Sequence, residues 1–145
     1  MQLSYNGFEA LKEHEGFRNK AYLDTGGVWT IGYGTTKING KPVEAGQECS
    51  LAESVEWLKQ DLAWAQTAVN KGVKVPLKQS QFDALVSFVY NIGEASFTKS
   101  TLLRLLNEGN YVDAAKQFDR WVYDNGRKIP GLAARRAVER SMFEQ

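Results

Sequence analysis

Very little in this sequence can staple, ligate or anchor it. Its 145 residues include one cysteine, Cys49, and one histidine, His14. An internal disulfide is therefore excluded, and a metal site built from these residue types has too few ligands. The fold must stand without staples, which suits a cytosolic origin, and neither a metal nor another cofactor is expected. No apolar run reaches the length that spans a bilayer, so no stable membrane association is expected. The first residues, Met1-Gln2-Leu3-Ser4-Tyr5-Asn6-Gly7, lack the basic-then-apolar order of a secretory signal. A net charge of +1 gives no overall pull toward nucleic acid. There are no internal repeats and no low-complexity linker.

What is present is an ordinary globular composition, 43% hydrophobic and 24% charged. The length is that of one domain, and two lobes sharing a helix also fit. Charge is unevenly spread: residues 1–72 carry 7 basic and 9 acidic groups, residues 73–145 carry 11 and 8. The late basic surplus, at Arg120, Arg127, Lys128, Arg135, Arg136 and Arg140, reads either as a solvated helix face or as mild attraction to an anionic polymer such as a cell wall.

Periodicity divides the chain. From Asn6 to Glu15, the residues Phe8, Leu11 and Glu15 form one helical stripe that Gly16 ends. Glu15 thus occupies a place where an apolar residue belongs, in a helix's last turn. From Phe17 to about Gly46 the period changes to two, giving a small antiparallel sheet. Trp29, Ile31 and Tyr33 share one face and Thr30 the other. A third short strand near Lys37–Asn39 precedes an Asn39-Gly40 turn. Ser50-Leu51-Ala52-Glu53 is a capping box. Leu51, Val55, Leu58, Leu62, Ala65 and Val69 then predict one long helix over 51–71 as a strut between lobes. A helical lobe over 73–145 follows, joined by the N-terminal helix. Its buried central helix is Gln79–Ile92, and shorter helices lie at 101–108, 112–122 and 132–143.

The chemistry gathers in Glu15, Asp24 and Thr30, spaced Glu-x8-Asp-x5-Thr across helix end, hairpin and strand. Cleaving a glycoside requires an acid for the leaving oxygen and a second carboxylate for the water or the cation. Glu15 suits the acid, because an apolar stripe and the negative end of a helix both disfavour its carboxylate. Asp24, in a Gly-rich turn, suits the ionised partner, and the Thr30 hydroxyl could hold a water against it. Singly, each also has a structural explanation, such as an Asp before Gly in a turn.

The hairpin register decides whether these groups can cooperate. A two-residue turn at Gly26-Gly27 would put Asp24 and Thr30 on opposite faces. A three-residue turn, Thr25-Gly26-Gly27, pairs Asp24 with Val28 and Tyr22 with Thr30, so both polar groups share a face. The three-residue register is expected.

The sequence resembles the phage-type lysozymes, glycoside hydrolases that lyse bacteria from within. The resemblance rests on Glu15-Gly16, Ala21-Tyr22-x-Asp24 and Thr30-Ile31-Gly32-Tyr33-Gly34. It continues through Ala84-Leu85-Val86-Ser87-Phe88-Val89-Tyr90-Asn91-Ile92-Gly93 and Phe97-x-x-Ser100-Thr101-Leu102-Leu103. It closes with Phe118-x-x-Trp121 and Gly131-Leu132-x-x-Arg135-Arg136-x-x-Glu139. It implies an α+β lysozyme fold with a cleft between a small sheet lobe and a larger helical lobe. It also implies a catalytic triad of Glu15, Asp24 and Thr30, and hydrolysis of the β-1,4 bond between N-acetylmuramic acid and N-acetylglucosamine in peptidoglycan. Inversion at the anomeric centre follows from the same likeness.

Tyr90, Asn91 and Ser100 match positions that face the cleft in the family, Gln117 aligns with a polar one, and Arg135 matches an arginine that faces the helix-end glutamate. The resemblance makes these five the expected substrate contacts. Tyr90 and Asn91 could equally be packing and capping residues, and Ser100 only a helix N-cap. Many members carry His where this chain has Thr35, which bears on a local polar contact and not on catalysis. The tryptophans, Trp29, Trp57, Trp64 and Trp121, read as core packing ahead of sugar platforms. The expected partner is the glycan strand, reached by a monomer from the host cytoplasm through a pore that a separate protein makes. A lytic transglycosylase, or a non-catalytic wall-binding protein on the same fold, is the alternative.

Overall fold

The computed structural model describes residues 1–145. It divides into two compact units: Glu9–Ala63, and Met1–Phe8 together with Trp64–Gln145.

The first unit opens with the end of helix α1 (Tyr5–Glu15), in which Leu11 is fully buried and Glu15 half-buried. Gly16, at φ +68°, ends it as the positive-φ residue, its N–H donating to the Lys12 carbonyl at 2.9 Å. Strands β1 (Arg18–Leu23) and β2 (Trp29–Gly32) pair antiparallel, with Tyr22 opposite Thr30 and Leu23 opposite Trp29. The free edge of β1 is covered by residues 47–49. Ala21 N–H donates to the Gln47 carbonyl and Cys49 N–H to the Asn19 carbonyl, each at 2.9 Å, which removes an edge open to other chains. β3 (Lys37–Ile38) and β4 (Lys41–Pro42) form a separate hairpin, turning through Asn39 and Gly40 with positive φ at both. The expected single sheet is therefore two ladders. Gly32, at φ +66°, breaks β2 where α2 (Leu51–Asp61) comes so close that a Cβ there would lie 2.8 Å from Ser54 Cβ.

The capping box at Ser50 and Glu53 forms in both directions, at 3.0 and 3.1 Å. The long helix expected over 51–71 is broken. α2 ends at Asp61 and α3 (Ala63–Gly72) begins two residues later. Leu62 between them keeps a helical φ but has ψ −10°, which tightens the turn, and the division between the units falls one residue further on, between Ala63 and Trp64. Leu51, expected on the apolar stripe, is exposed, while Leu58 and Leu62 join Ile31, Tyr33 and Val43 in this unit's small core.

In the second unit α4 (Gln79–Ile92) is buried from Gln81 to Val89, as its apolar circumference requires. α5 (Glu94–Thr98), α6 (Thr101–Asn107), α7 (Tyr111–Gln117) and α8 (Pro130–Phe143) complete the helical set. Phe88 and Phe118 meet edge-on at 5.1 Å, and Phe118 and Phe143 at 5.6 Å. Truncating such a ring costs about 3–5 kcal/mol. The helix expected over 112–122 stops at Gln117 and tightens into a 3₁₀ turn, Phe118–Arg120. A hairpin of β5 (Tyr123–Asp124) and β6 (Arg127–Lys128) then follows. Its Asn125-Gly126 turn, with φ +50° and +78°, is a strong hairpin signal that the helical reading passed over. The N-terminal residues are tied to α4: Ser4 N–H and hydroxyl both donate to the buried Asp83 carboxylate. A Cβ on Gly7 would lie 2.5 Å from Asp83 Cγ, so only glycine fits there.

Candidate active site

Glu15, Asp24 and Thr30 all belong to the unit Glu9–Ala63. The hairpin has the three-residue loop: Asp24 N–H donates to the Val28 carbonyl and Gly27 N–H to the Asp24 carbonyl, each at 3.0 Å. Gly27 takes φ +78°, the left-handed position such a loop demands. Two-residue alternation from the Tyr22–Thr30 pair therefore puts Asp24 on the Thr30 side of the ladder. Asp24 Oδ1 accepts the N–H groups of Gly26 and Val28, both at 2.8 Å. Two backbone donors fix the plane of the carboxylate, and both act on Oδ1. Thr30 is only 4% exposed, and its hydroxyl donates to the Val28 carbonyl at 2.9 Å. With its proton spent, Oγ1 can only accept from a further group. Glu15 lies against the backbone of Gly34, where a Cβ would sit 3.1 Å from Glu15 Oε1 and where φ is +87°. Glycine at 34 keeps that carboxyl uncrowded.

The five expected substrate contacts lie in the other unit. The Tyr90 ring lies 5.9 Å from that of Trp64, inclined by 32°. Asn91 is exposed, and its Oδ1 accepts from Arg136 at 2.8 Å. Ser100 is buried and caps α6, accepting from Leu103 N–H at 3.1 Å and donating to the Phe97 carbonyl at 2.7 Å. Gln117 Oε1 accepts from Arg120 at 3.5 Å. Arg135 is 8% exposed and donates to Glu139 at 3.2 Å and to the Ser87 carbonyl at 3.0 Å. Trp29, Trp57 and Trp121 are half-buried, and Trp64, 43% exposed, departs from the core packing expected.

Residues 12–139 match the family model described as phage lysozyme. The chain belongs to the phage lysozyme family. It is 45% identical over 144 residues to the endolysin of Salmonella phage P22, covering 99% of this chain and 98% of that one. Among solved structures it is similar to the endolysin from Escherichia coli O157:H7 phage FAHEc1, with a TM-score of 0.93, 41% identity, and coverage of 99% and 93%. It is also similar to the muramidase domain of SpmX from Asticaccaulis excentricus, with a TM-score of 0.90, 38% identity, and coverage of 99% and 98%. The phage lysozyme is thus a glycosidase, a muramidase of the α+β lysozyme fold that hydrolyses the glycan of peptidoglycan. No helix in it is long and apolar enough to cross a membrane.

Two features of this lysozyme were not legible in the sequence. Thr35, fully buried, donates to Asp61 Oδ2 at 2.7 Å and bridges to Ile31 through paired 2.9 Å backbone bonds. Burial pushes the Asp61 carboxyl above its ordinary range, and the Thr35 hydrogen bond pulls it back. The partners are 26 residues apart, so no local pattern links them.

The second is an ionic cluster inside the helical unit. Glu139, fully buried, accepts from Ser87 at 2.5 Å, from Arg135 at 3.2 Å and from Arg136 at 3.3 Å. Its Oε1 lies 2.7 Å from Arg136 Nε in ionic contact, without hydrogen-bond alignment. Burial raises the Glu139 carboxyl, and Arg136 first and Arg135 second oppose that rise. Cys49, read as inert, has its thiol pushed up by burial and by Glu53, which keeps it protonated.

Proposed function

We propose that Glu15, Asp24 and Thr30 hydrolyse the β-1,4 bond between N-acetylmuramic acid and N-acetylglucosamine with inversion. Glu15 gives its proton to the leaving glycosidic oxygen. A water enters C1 from the opposite face, passing one proton to Asp24 Oδ2 while its other proton points to Thr30 Oγ1. The observation that carries this reading is the hydrogen bonding of the hairpin. Asp24 Oδ1 is filled by two backbone donors and the Thr30 proton is spent on Val28. One free carboxylate oxygen and one acceptor-only hydroxyl oxygen therefore remain, on the same side of the ladder. Such a pair takes both protons of a water and offers it none, so the water oxygen is left as the nucleophile.

Tyr90, Asn91, Ser100, Gln117 and Arg135 are assigned to binding the glycan strand. In an infected cell the enzyme is inferred to wait in the host cytoplasm, reach the wall through a pore made by a separate protein, and lyse the host. The naming of relatives as endolysins supports that course.

Digestion of peptidoglycan in ¹⁸O-labelled water tests the chemistry. Hydrolysis puts one ¹⁸O at each new reducing end. Anhydro-sugar ends without label would make the chain a transglycosylase, and no new ends would make it a binding protein.

A further inference from the structure

At the start of α4, two adjoining hollows of about 250 and 460 Å³ share Lys78, Gln81 and Tyr111 in their walls. All the residues around them belong to the helical unit. Phe143 and Ala115, both buried, form the floor together with Gln81, which is 8% exposed. Gln81 is the third residue of α4, and its Oε1 accepts the Lys78 N–H at 2.8 Å. That bond turns the amide oxygen toward the backbone and leaves Nε2 as a donor at the floor. Tyr111 is fixed as well, its hydroxyl donating to the Pro76 carbonyl at 2.6 Å. Pro76 and Leu77 carry the apolar wall on one side, and Val112, 70% exposed, carries it on the other.

We propose that this groove is a second glycan-binding site, which takes an N-acetylated sugar of the wall without cutting it. The proposal goes beyond the reaction and rests on the muramidase's own substrate, a strand of N-acetylated rings. The joined space suits a small ligand, for which roughly 300–1,000 Å³ is usual. Gln81 Nε2 offers a donor to an acetamido carbonyl, and Phe143 and Val112 offer apolar contact to its methyl. A pyranose face can lie along Tyr111 and Leu77. The polar groups of the floor are neutral, and Glu144 on the rim already faces Arg140 at 3.2 Å. A phosphate or an acidic peptide would find Lys78 alone to answer its charge. Gln81 and Asn91 lie ten residues apart on α4, about 15 Å along its axis, so this groove is distinct from the contacts assigned at Tyr90 and Asn91. A wall is a mesh of strands, and an enzyme held by a second strand stays on it between cuts.

The test is an NMR titration of the isotopically labelled full chain with two probes. One is the N-acetylglucosamine trimer, and the other is cellotriose, whose rings lack the acetamido group. The N-acetylated trimer is expected to move the Gln81 side-chain amide and the Val112 backbone signal saturably, on a curve separate from that of Asn91. Cellotriose should leave both unmoved. Gln81→Glu keeps an acceptor for the Lys78 N–H and removes the donor, so it should weaken binding at this site by about tenfold or more. Val112→Asp, on the exposed rim, should weaken it by about threefold. Unmoved signals, equal movement by cellotriose, or unchanged binding in both variants would overturn the proposal. Movement of the same signals on raising the protein concentration without sugar would give the groove to a second copy of the chain, and would also overturn it. The titration needs no turnover. Absent binding with ¹⁸O-labelled ends still formed therefore rejects the groove alone, and absent ends with binding intact reject the reaction.

Discussion

Two carboxylates show how differently the units treat a negative charge. In the unit Glu9–Ala63, Asp24 sits in a turn open to water and is held by two uncharged backbone donors. In the helical unit, Glu139 is sealed from water and faced by two guanidiniums and a hydroxyl. Backbone N–H groups fix a carboxylate without setting an opposite charge beside it. Glu139 has its charge answered by two guanidiniums and its Oε2 filled by hydrogen bonds, which suits rigidity. A carboxylate's role is thus set by what holds it. Substitutions in the first unit's hairpin and helix end should cost rate, and those in the second unit's interior should cost folding.

The sharpest break is at Glu15. Glu15→Gln should lower wall clearing by about 10²- to 10⁴-fold, since an amide supplies no proton, with little change in melting temperature. Glu13→Gln, two residues earlier and exposed, should clear a turbid wall suspension at the parent rate. The mirror experiment is Glu139→Ala, which removes the carboxylate that answers the buried Arg136 guanidinium. A loss of about 3–5 kcal/mol is expected by denaturant unfolding. A fully stable variant would mean that the cluster is not the anchor described.

Thr30 lies between these extremes, being both buried and assigned to the reaction. Thr30→Val keeps the volume and removes the acceptor, and should reduce kcat by about 10²-fold. Thr30→Ser should restore most of it, which a purely structural role for the methyl would not allow.

How much of this was legible beforehand depended on sequence separation. The hairpin register could be read because its constraint is local: Asp24, Gly27 and Thr30 lie within seven positions, and only one loop length puts the two polar groups on a side. The end of α1 at Gly16, the Ser50–Glu53 capping box and the buried circumference of α4 are equally local. What was lost is mostly non-local. Thr35 finds Asp61, and Ser87 finds Glu139 across 52 residues. The break at Leu62 falls inside an unbroken apolar stripe, with no proline or glycine to mark it. The β5–β6 hairpin is the exception. Its Asn125-Gly126 turn was visible, and the weight given to helical periodicity nearby hid it.

The smallest expected effect concerns Asp61, whose carboxyl is raised in the folded state by burial. A raised acid binds its proton more tightly folded than unfolded, so ionising it costs stability as pH climbs through the folded value. Asp61→Asn keeps an acceptor for Thr35 and removes that cost. The variant should gain stability at neutral pH, by less than about 1 kcal/mol because water screens a half-exposed group. The gain should vanish below the ordinary carboxylate pKa of about 3.9. Melting curves at several pH values check both the sign and the window.

The central claim, that Asp24 and Thr30 deliver a water to the face opposite the leaving group, is tested most directly by the anomer first formed. Soluble glycan is cleaved rapidly at high enzyme concentration, and proton NMR spectra are taken before mutarotation mixes the products. The account requires the new reducing end to appear first in the α configuration, because a β bond is inverted. A β-configured product in the earliest spectra would contradict it and would make Asp24 a nucleophile on the sugar.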